Sequence, residues 1–176
     1  MKNQFLKLPI IIFFIILFIF FYLLIIDRNP SKVPSALLNK SVPSFNAETL
    51  FKNKKFSSPE EFGGQVILVN FFATWCKPCR NEHVFIKRFA EDQNIKVIGI
   101  NYKDDAEKAI EWLKKLGNPY SSVVIDKNGK IAIDWGVYGI PETFIVNSKG
   151  KIKYRHVGAI TAKRYKKINQ IIKEIE

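Results

Sequence analysis

The sequence predicts an α/β fold with a mixed central sheet flanked by helices, preceded by one apolar helix of membrane-spanning length. Three observations lead there. Continuous apolar runs such as Val66-Ile67-Leu68-Val69-Asn70-Phe71-Phe72 alternate with stretches of helical period, as expected of strands buried on both faces and joined by helices. The chain closes on a hairpin pattern and an amphipathic helix rather than on another strand–helix repeat. Finally, Leu8–Ile26 is apolar throughout, apart from Pro9 and the Tyr22 hydroxyl.

Those nineteen residues would cover roughly 28 Å as a helix, close to the hydrocarbon thickness of a bilayer. Leu23-Leu24-Ile25-Ile26 runs straight into Asp27-Arg28 with no small-residue cleavage site, and Val33-Pro34-Ser35-Ala36 is a poor one. An uncleaved signal anchor is therefore expected in preference to a cleaved signal peptide. The predicted organisation is a cytoplasmic N-terminus over 1–7, a transmembrane anchor over 8–26, a tether over 27–38 and a folded domain over 39–176. Lys2 and Lys7 before the span are balanced by Arg28 and Lys32 after it, so charge alone does not orient it.

Within the domain, Phe45, Leu50 and Phe56 predict two short strands joined by a turn at Lys52–Lys55. Ser58-Pro59-Glu60-Glu61 reads as a helix start, stopped by Gly63-Gly64. After the Val66–Phe72 strand, Val84, Ile86 and Phe89 mark a helix ending near Glu91-Asp92. Ile95–Ile100 is a second buried strand. Ala106, Ile110, Leu113 and Leu116 recur at helical spacing, and Gly117 with Pro119 ends that helix. Val123–Ile125 is a third strand, followed by the turn Asp126-Lys127-Asn128-Gly129. Thr143–Val146 and Lys151–Val157 form the hairpin about Asn147-Ser148-Lys149-Gly150. Tyr165, Ile168, Ile172 and Ile175 make the last helix amphipathic.

The 176 residues carry a formal net charge of +12, and 47% are hydrophobic. From Asn39 onward 24 basic residues stand against 15 acidic ones, a net +9. The lysines are scattered and no aromatic–basic motif accompanies them, so nucleic acid is not an expected partner. The basic excess reads as a solvated face, with anionic headgroups or an acidic partner as the alternative.

The chain has only two cysteines, three apart, in Trp75-Cys76-Lys77-Pro78-Cys79. They fall where a buried strand gives way to a helix, the context that makes C-x-x-C a redox motif. A helix N-terminus offers unpaired N–H groups and positive potential, which favour a thiolate on Cys76, and Lys77 adds to that field. One helical turn brings the second sulfur within bonding range, so Cys79 can resolve a mixed disulfide on Cys76. Cys76 is thus the expected attacking thiol with its sulfur facing solvent, and Cys79 the buried resolver. Zinc would need four ligands, and only His83 and His156 remain to join the cysteines. Covalent haem attachment would need histidine where Arg80 stands. A structural disulfide would close too small a loop to add much stability. No metal and no cofactor are expected.

With these residues laid out, a resemblance follows. Val66–Cys79 is similar to the thioredoxin active-site strand and turn, and Gly139-Ile140-Pro141-Glu142-Thr143-Phe144 to the segment carrying that family's cis-proline. Several stretches resemble the cytochrome c biogenesis thioredoxins of the CcmG/DsbE type. These are Cys79-Arg80-Asn81-Glu82-His83, Asn101-Tyr102-Lys103-Asp104-Asp105, Leu116-Gly117-Asn118-Pro119-Tyr120, Gly136-Val137-Tyr138-Gly139 and Tyr154-Arg155-His156-Val157-Gly158. The likeness covers about Val42–Gly158 and the N-terminal anchor. It implies a thioredoxin-like fold with an additional strand–helix insert, on the periplasmic side of a bacterial inner membrane. It also implies electrons taken from a membrane thiol carrier of the CcdA/DsbD kind and passed to apocytochrome c or cytochrome c maturation proteins.

The same resemblance implies that Ile140–Pro141 is cis and that Trp75, Tyr138 and Pro141 rim Cys76, with the Ile140 backbone pairing an extended substrate. Ile140 departs from the smaller residue expected before the proline. Plain thioredoxins carry a buried Asp six residues before the first cysteine, thought to help deprotonate the second; here Asn70 stands there. Glu82, one turn after Cys79, or Glu142, next to Pro141, is expected to take that proton instead, with its pKa raised by partial burial. The competing readings make Glu82 a surface residue and Glu142 a loop former. Trp112, Trp135, His83 and His156 read as packing or structural residues. A general thiol reductase of the TlpA/ResA kind is the nearest alternative. Beyond it lies a non-enzymatic apocytochrome-binding module. A peroxidase is disfavoured because Thr74 lies two positions before Cys76 rather than three.

Overall fold

The structure is a computed structural model that describes residues 8–25, 36–51, 54–91 and 95–175. The expected N-terminus 1–7, the last residue of the expected anchor, Ile26, most of the tether, and Lys52 and Asn53 of the expected turn lie outside them. The chain divides into two units, Met1–Lys32 and Val33–Glu176. In the first, helix α1 spans Leu8–Ile25, 18 residues, or roughly 27 Å. Its side chains from Leu8 to Leu24 are exposed all round. Among the described residues, no helix is long and apolar enough to cross a membrane, so the expected transmembrane anchor over 8–26 is not confirmed.

The second unit is the expected α/β domain. Strands β1 (Phe45–Glu48) and β2 (Lys55–Ser58) form an antiparallel pair of their own. The main sheet comprises β3 (Val66–Phe72), β4 (Ile95–Tyr102), β5 (Ser122–Asp126), β6 (Glu142–Val146) and β7 (Ile152–Val157), in the order β5-β4-β3-β6-β7. Pairs β3–β4 and β4–β5 are parallel, and β3–β6 and β6–β7 antiparallel, so the sheet is mixed. The helices of this unit are α2 (Lys77–Ala90), α3 (Ala106–Leu116), α4 (Lys130–Asp134) and α5 (Ala162–Ile175). Strand β5 is an edge of the main sheet, beside β4, and along the chain β5 and α4 fall between α3 and β6.

Every residue of β3 is buried, and strand periodicity sends alternate side chains to opposite faces. Val66, Leu68 and Phe72 join a core with Ile86 and Phe89 of α2, Trp112 and Leu113 of α3, and Ile168 and Ile172 of α5. Ile67, Val69 and Phe71 join a second core with Phe56, Phe62 and Trp135. Asn70 belongs to the first series, so its amide faces the α2 side. The hairpin turn is closed by Asn147, whose side-chain oxygen accepts from the Lys149 and Lys151 amides at 3.2 and 2.9 Å.

Three expectations are corrected. Pro59–Gly63 makes a single turn, with the Phe62 amide donating to Pro59 O at 2.8 Å, and no helix. Ser58 is already committed to β2, which leaves too few residues before Gly63 to propagate one. Val84 is 48% exposed, because the buried stripe of α2 is Cys79, Glu82, His83, Ile86 and Phe89. The segment after Gly129 is not merely a turn but the short helix α4, whose Ile131 and Ala132 amides donate to the buried Asp126 carboxylate at 3.2 and 2.9 Å.

Gly99 has a specific role in this architecture. It lies opposite Asn70 in the β3–β4 register, and a Cβ there would meet Phe72 Cε1 at 2.9 Å and the Tyr120 ring at 3.0 Å. The bare glycine lets the Tyr120 ring, stacked on Phe72 at 4.9 Å, lie over the sheet and reach Asn70. Gly99→Ala is expected to destabilise the domain by about 1–3 kcal/mol through overpacking, read as a lowered urea midpoint with an unchanged m-value.

Candidate active site

Strand β3 delivers the chain to the start of α2, where Cys76 is the N-cap and Pro78 sits in the first turn. Cys76 and Cys79 are joined in a disulfide, with Cα atoms 5.3 Å apart. Cys76 Sγ accepts from the Cys79 amide at 3.1 Å. The first sulfur therefore stands where an Ncap oxygen usually does, and it receives the helix N–H that would hold a thiolate. The expectation of a solvent-facing Cys76 is corrected: Cys76 is 4% and Cys79 2% exposed. What distinguishes the two sulfurs is the cap, because only Cys76 receives a helix amide.

The turn before the disulfide is pinned by a residue the sequence reading left unassigned. Asp104 accepts from the Thr74 amide and the Thr74 hydroxyl, each at 2.7 Å, and from Asn101 Nδ2 at 2.9 Å. The Trp75 indole N–H donates to Lys103 O at 3.2 Å. Trp75 is nonetheless 60% exposed.

Beneath the disulfide lies a buried polar chain. Asn70 Nδ2 donates to Glu82 Oε1 at 2.8 Å and to Thr143 Oγ1 at 3.1 Å, while Asn70 Oδ1 accepts from the Tyr120 hydroxyl at 2.8 Å. The other Glu82 oxygen accepts from the Ile160 amide at 2.8 Å. Glu82 is 1% exposed, so it is not a surface residue. Burial raises its pKa to about 7, against the two hydrogen bonds, which lower it. A carboxyl poised near neutrality, one turn from Cys79, can exchange a proton at the pH where a thiol is attacked.

Glu142 is placed differently. Its Oε2 is paired with Arg155 Nε at 2.7 Å, both side chains being buried. Its Oε1 accepts from the Tyr138 and Gly139 amides at 2.9 and 3.4 Å. Arg155 also donates to Gly136 O at 2.9 Å, and its guanidinium lies 4.7 Å from the Tyr138 ring centroid. The pair thus moors the loop that carries Tyr138, Ile140 and Pro141, and this geometry is that of a loop former. The Ile140–Pro141 bond is cis as expected, and Pro141 O accepts from the Gly158 amide at 3.0 Å. Tyr138 is 74% exposed, and Ile140 is half-buried against both cores.

The two histidines fit their structural reading. His83 Nε2 bonds Gly117 O at 2.8 Å, its ring lies edge-on to Trp112 at 4.6 Å, and burial lowers its pKa. Burial likewise lowers His156. Trp112 and Trp135 are buried packing residues. Among the described residues no group of His, Cys, Asp and Glu could hold a metal ion.

A sulfur held on a helix cap, a second one a turn further on and a buried group able to exchange a proton serve one kind of reaction, the transfer of a disulfide between proteins. That chemistry, on this sheet order and with this cis-proline, is the province of the thioredoxin-like thiol–disulfide oxidoreductases, and the chain is one of them. More narrowly, residues 37–172 match the family described as Redoxin, and the chain belongs to it. It is 43% identical over 137 residues to the thiol:disulfide interchange protein DsbE of Vibrio cholerae, covering 78% of this chain and 74% of that one. To DsbE of Escherichia coli strain K12 it is 41% identical over 162 residues, 90% of this chain and 87% of the other. Among solved structures, a Chlorobium tepidum protein described as a putative DsbE superposes with a TM-score of 0.68 at 22% identity. That match spans 79% of this chain and 98% of that one, and confirms the fold. The expected likeness to DsbE-type interchange proteins is borne out.

Proposed function

We propose that the chain is held in a bacterial inner membrane by residues 8–26, with the domain from residue 39 onward in the periplasm, and that it reduces disulfides of apocytochrome c or of cytochrome c maturation proteins. The observation that carries this reading is the cysteine pair itself. The only two cysteines of the sequence form one disulfide that caps α2, in a chain whose relatives are named as interchange proteins. Such C-x-x-C couples serve in reducing and oxidising compartments alike; what favours the periplasm is the apolar run of residues 8–26, an anchor that would keep the domain at the membrane surface.

In the reductive direction the Cys76 thiolate attacks a sulfur of the substrate disulfide, and the departing substrate sulfur leaves as a thiolate. Cys79 then attacks Cys76 Sγ and expels the second substrate sulfur, while the Cys79 proton passes to Glu82. Two electrons have moved, the substrate carries two thiolates that take one proton back from Glu82 and one from solvent, and Cys76–Cys79 is a disulfide again. A membrane thiol carrier of the CcdA/DsbD kind returns it to the dithiol. Trp75, Tyr138 and cis-Pro141 form the apolar rim against which an extended substrate lies, its backbone pairing with that of Ile140.

Cys79→Ser removes the resolving thiol and arrests the first intermediate. Expressed in cells that assemble c-type cytochromes, the variant is expected to carry, through Cys76, peptides containing C-x-x-C-H, identified by mass spectrometry under non-reducing conditions. A broad set of unrelated exported proteins, with no C-x-x-C-H peptide among them, would point instead to a general thiol reductase.

A further inference from the structure

The Tyr120 hydroxyl has one hydrogen-bond partner, and it is not on the disulfide. It donates to Asn70 Oδ1 at 2.8 Å, in the interior, from a residue 6% exposed. Both hydrogens of that amide are then committed, one to Glu82 Oε1 and one to Thr143 Oγ1. A primary amide has two donors on one side and an acceptor on the other, and turning it over exchanges them. Turned over, Asn70 would aim its oxygen at Glu82. A carboxylate would be repelled there, whereas a carboxylic acid would donate to that oxygen and be stabilised.

We infer that Tyr120 is a positioning residue for the resolving step: its hydroxyl holds the Asn70 amide with N–H toward Glu82 and so keeps that side chain in its proton-accepting form. The inference rests on Glu82 being the acceptor of the Cys79 proton. Two features of the structure support it. Burial and the neighbouring Glu82 charge push the Tyr120 phenol well above its ordinary pKa, so it stays a neutral donor at any working pH. A phenol donating to the amide oxygen also polarises the amide and strengthens its N–H toward Glu82, because bonds in a chain reinforce one another where the dielectric is low. The groups facing the Glu82 carboxyl are Asn70 from β3, the Ile160 amide from the segment between β7 and α5, and Tyr120 from the segment before β5, with Cys79 on its own helix. Of these, Tyr120 is titratable in the structure as it stands, and Cys79 becomes so only when its disulfide is opened.

The test uses the reduced full chain in detergent and a chromogenic aromatic disulfide as probe. Cys76 takes one probe thiolate and releases the other, and Cys79 then expels the second, so resolution is read as the second release of colour. Tyr120→Phe keeps the ring stacked on Phe72 and removes only the hydroxyl. It is expected to move the pH midpoint of resolution upward by about one unit, which slows resolution about tenfold on the acid side of the profile. The rate of the first step should be unchanged. In a Glu82→Gln background the same substitution should add nothing, since the residue acts through Glu82. Thr143→Val, which removes the other neutral partner of the amide, should shift the midpoint in the same direction and serves if Tyr120→Phe does not fold. A Tyr120→Phe profile that coincides with the parent, while Glu82→Gln is slowed, overturns the inference and leaves the role of Glu82 standing. So does an equal slowing by Tyr120→Phe with and without Glu82. If Glu82→Gln itself resolves like the parent, the reading of Glu82 fails and the inference falls with it.

Discussion

Cys76→Ser is expected to abolish disulfide exchange outright, whereas Cys79→Ser is expected to keep the first half of the reaction and lose the second. The asymmetry follows from the cap. Cys76 Sγ holds the Cys79 amide at 3.1 Å, at the positive end of a helix whose last turn carries Lys87 and Arg88. A thiolate is favoured at that end and the attacking species is the thiolate. Serine at 76 offers no sulfur, so no mixed disulfide forms and turnover falls to background. Serine at 79 leaves the attacking thiol intact, and the mixed disulfide accumulates in stoichiometric amount. Mass spectrometry of each reduced variant after exposure to an excess of a small disulfide distinguishes them: no adduct on Cys76→Ser at the first time points, and one full adduct on Cys79→Ser.

Glu82→Gln is expected to slow resolution of a preformed Cys76 mixed disulfide by roughly 10–100-fold near neutral pH, at or below the low end of general-base effects. A thiol with pKa about 8.5 is a few per cent ionised at pH 7, so a base beside Cys79 raises the reactive fraction. Glutamine preserves size and hydrogen bonding and removes the basicity. Because Glu82 has a pKa of about 7, the parent rate should itself fall below that pH as the carboxyl becomes protonated. The variant should lack this inflection and converge on the parent once pH exceeds the thiol's own pKa. Stability should show the opposite sign. The folded-state pKa is raised from 4.5 to about 7, so the folded protein binds the proton more tightly than the unfolded chain. Ionisation therefore costs stability progressively as pH rises through that window, and the cost is absent below it. Glu82→Gln, always neutral, should resist urea better than the parent above pH 7 and gain nothing near pH 4. Glu142→Gln should instead lower stability and leave the resolution profile in place, because it breaks the buried pair with Arg155.

Much of this fold was legible because its strongest elements repeat with a single period. Val66–Phe72 reads as a strand from its continuous apolarity, and the structure gives it those bounds. The hairpin and α5 read equally well, since turn residues and a 3.6-residue stripe are local signals. Helix α2 was found, but its face was misplaced. Glu82 and His83 occupy its buried stripe, so counting apolar residues puts Val84 inside. The short α4 was missed because its start is fixed from outside, by the Asp126 carboxylate on the Ile131 and Ala132 amides, with Gly129 at φ 75° before it.

The site divides along the same line. The cysteines and the proline are legible from spacing and resemblance, and Asn70 stands out as the lone amide in an apolar run. A buried amide must have partners, and the structure supplies them in Glu82, Thr143 and Tyr120. That its oxygen should be met by Tyr120, fifty residues away, no local pattern records; it needs the strand register and the space above Gly99. Asp104 was likewise visible only within a motif, until the Thr74 amide and hydroxyl were found bonded to it.

The central claim is that Cys76 is the attacking sulfur of a redox couple and Cys79 its resolver, and limiting alkylation tests it most directly. The full chain is reduced in detergent, treated at neutral pH with less than one equivalent of iodoacetamide, and digested, so that label at each position is counted by peptide mass. The account predicts label at Cys76 in large excess over Cys79, because the first sulfur accepts an amide of the helix N-terminus, where a thiolate is favoured. Preferential labelling of Cys79, or equal labelling of the two, would contradict it.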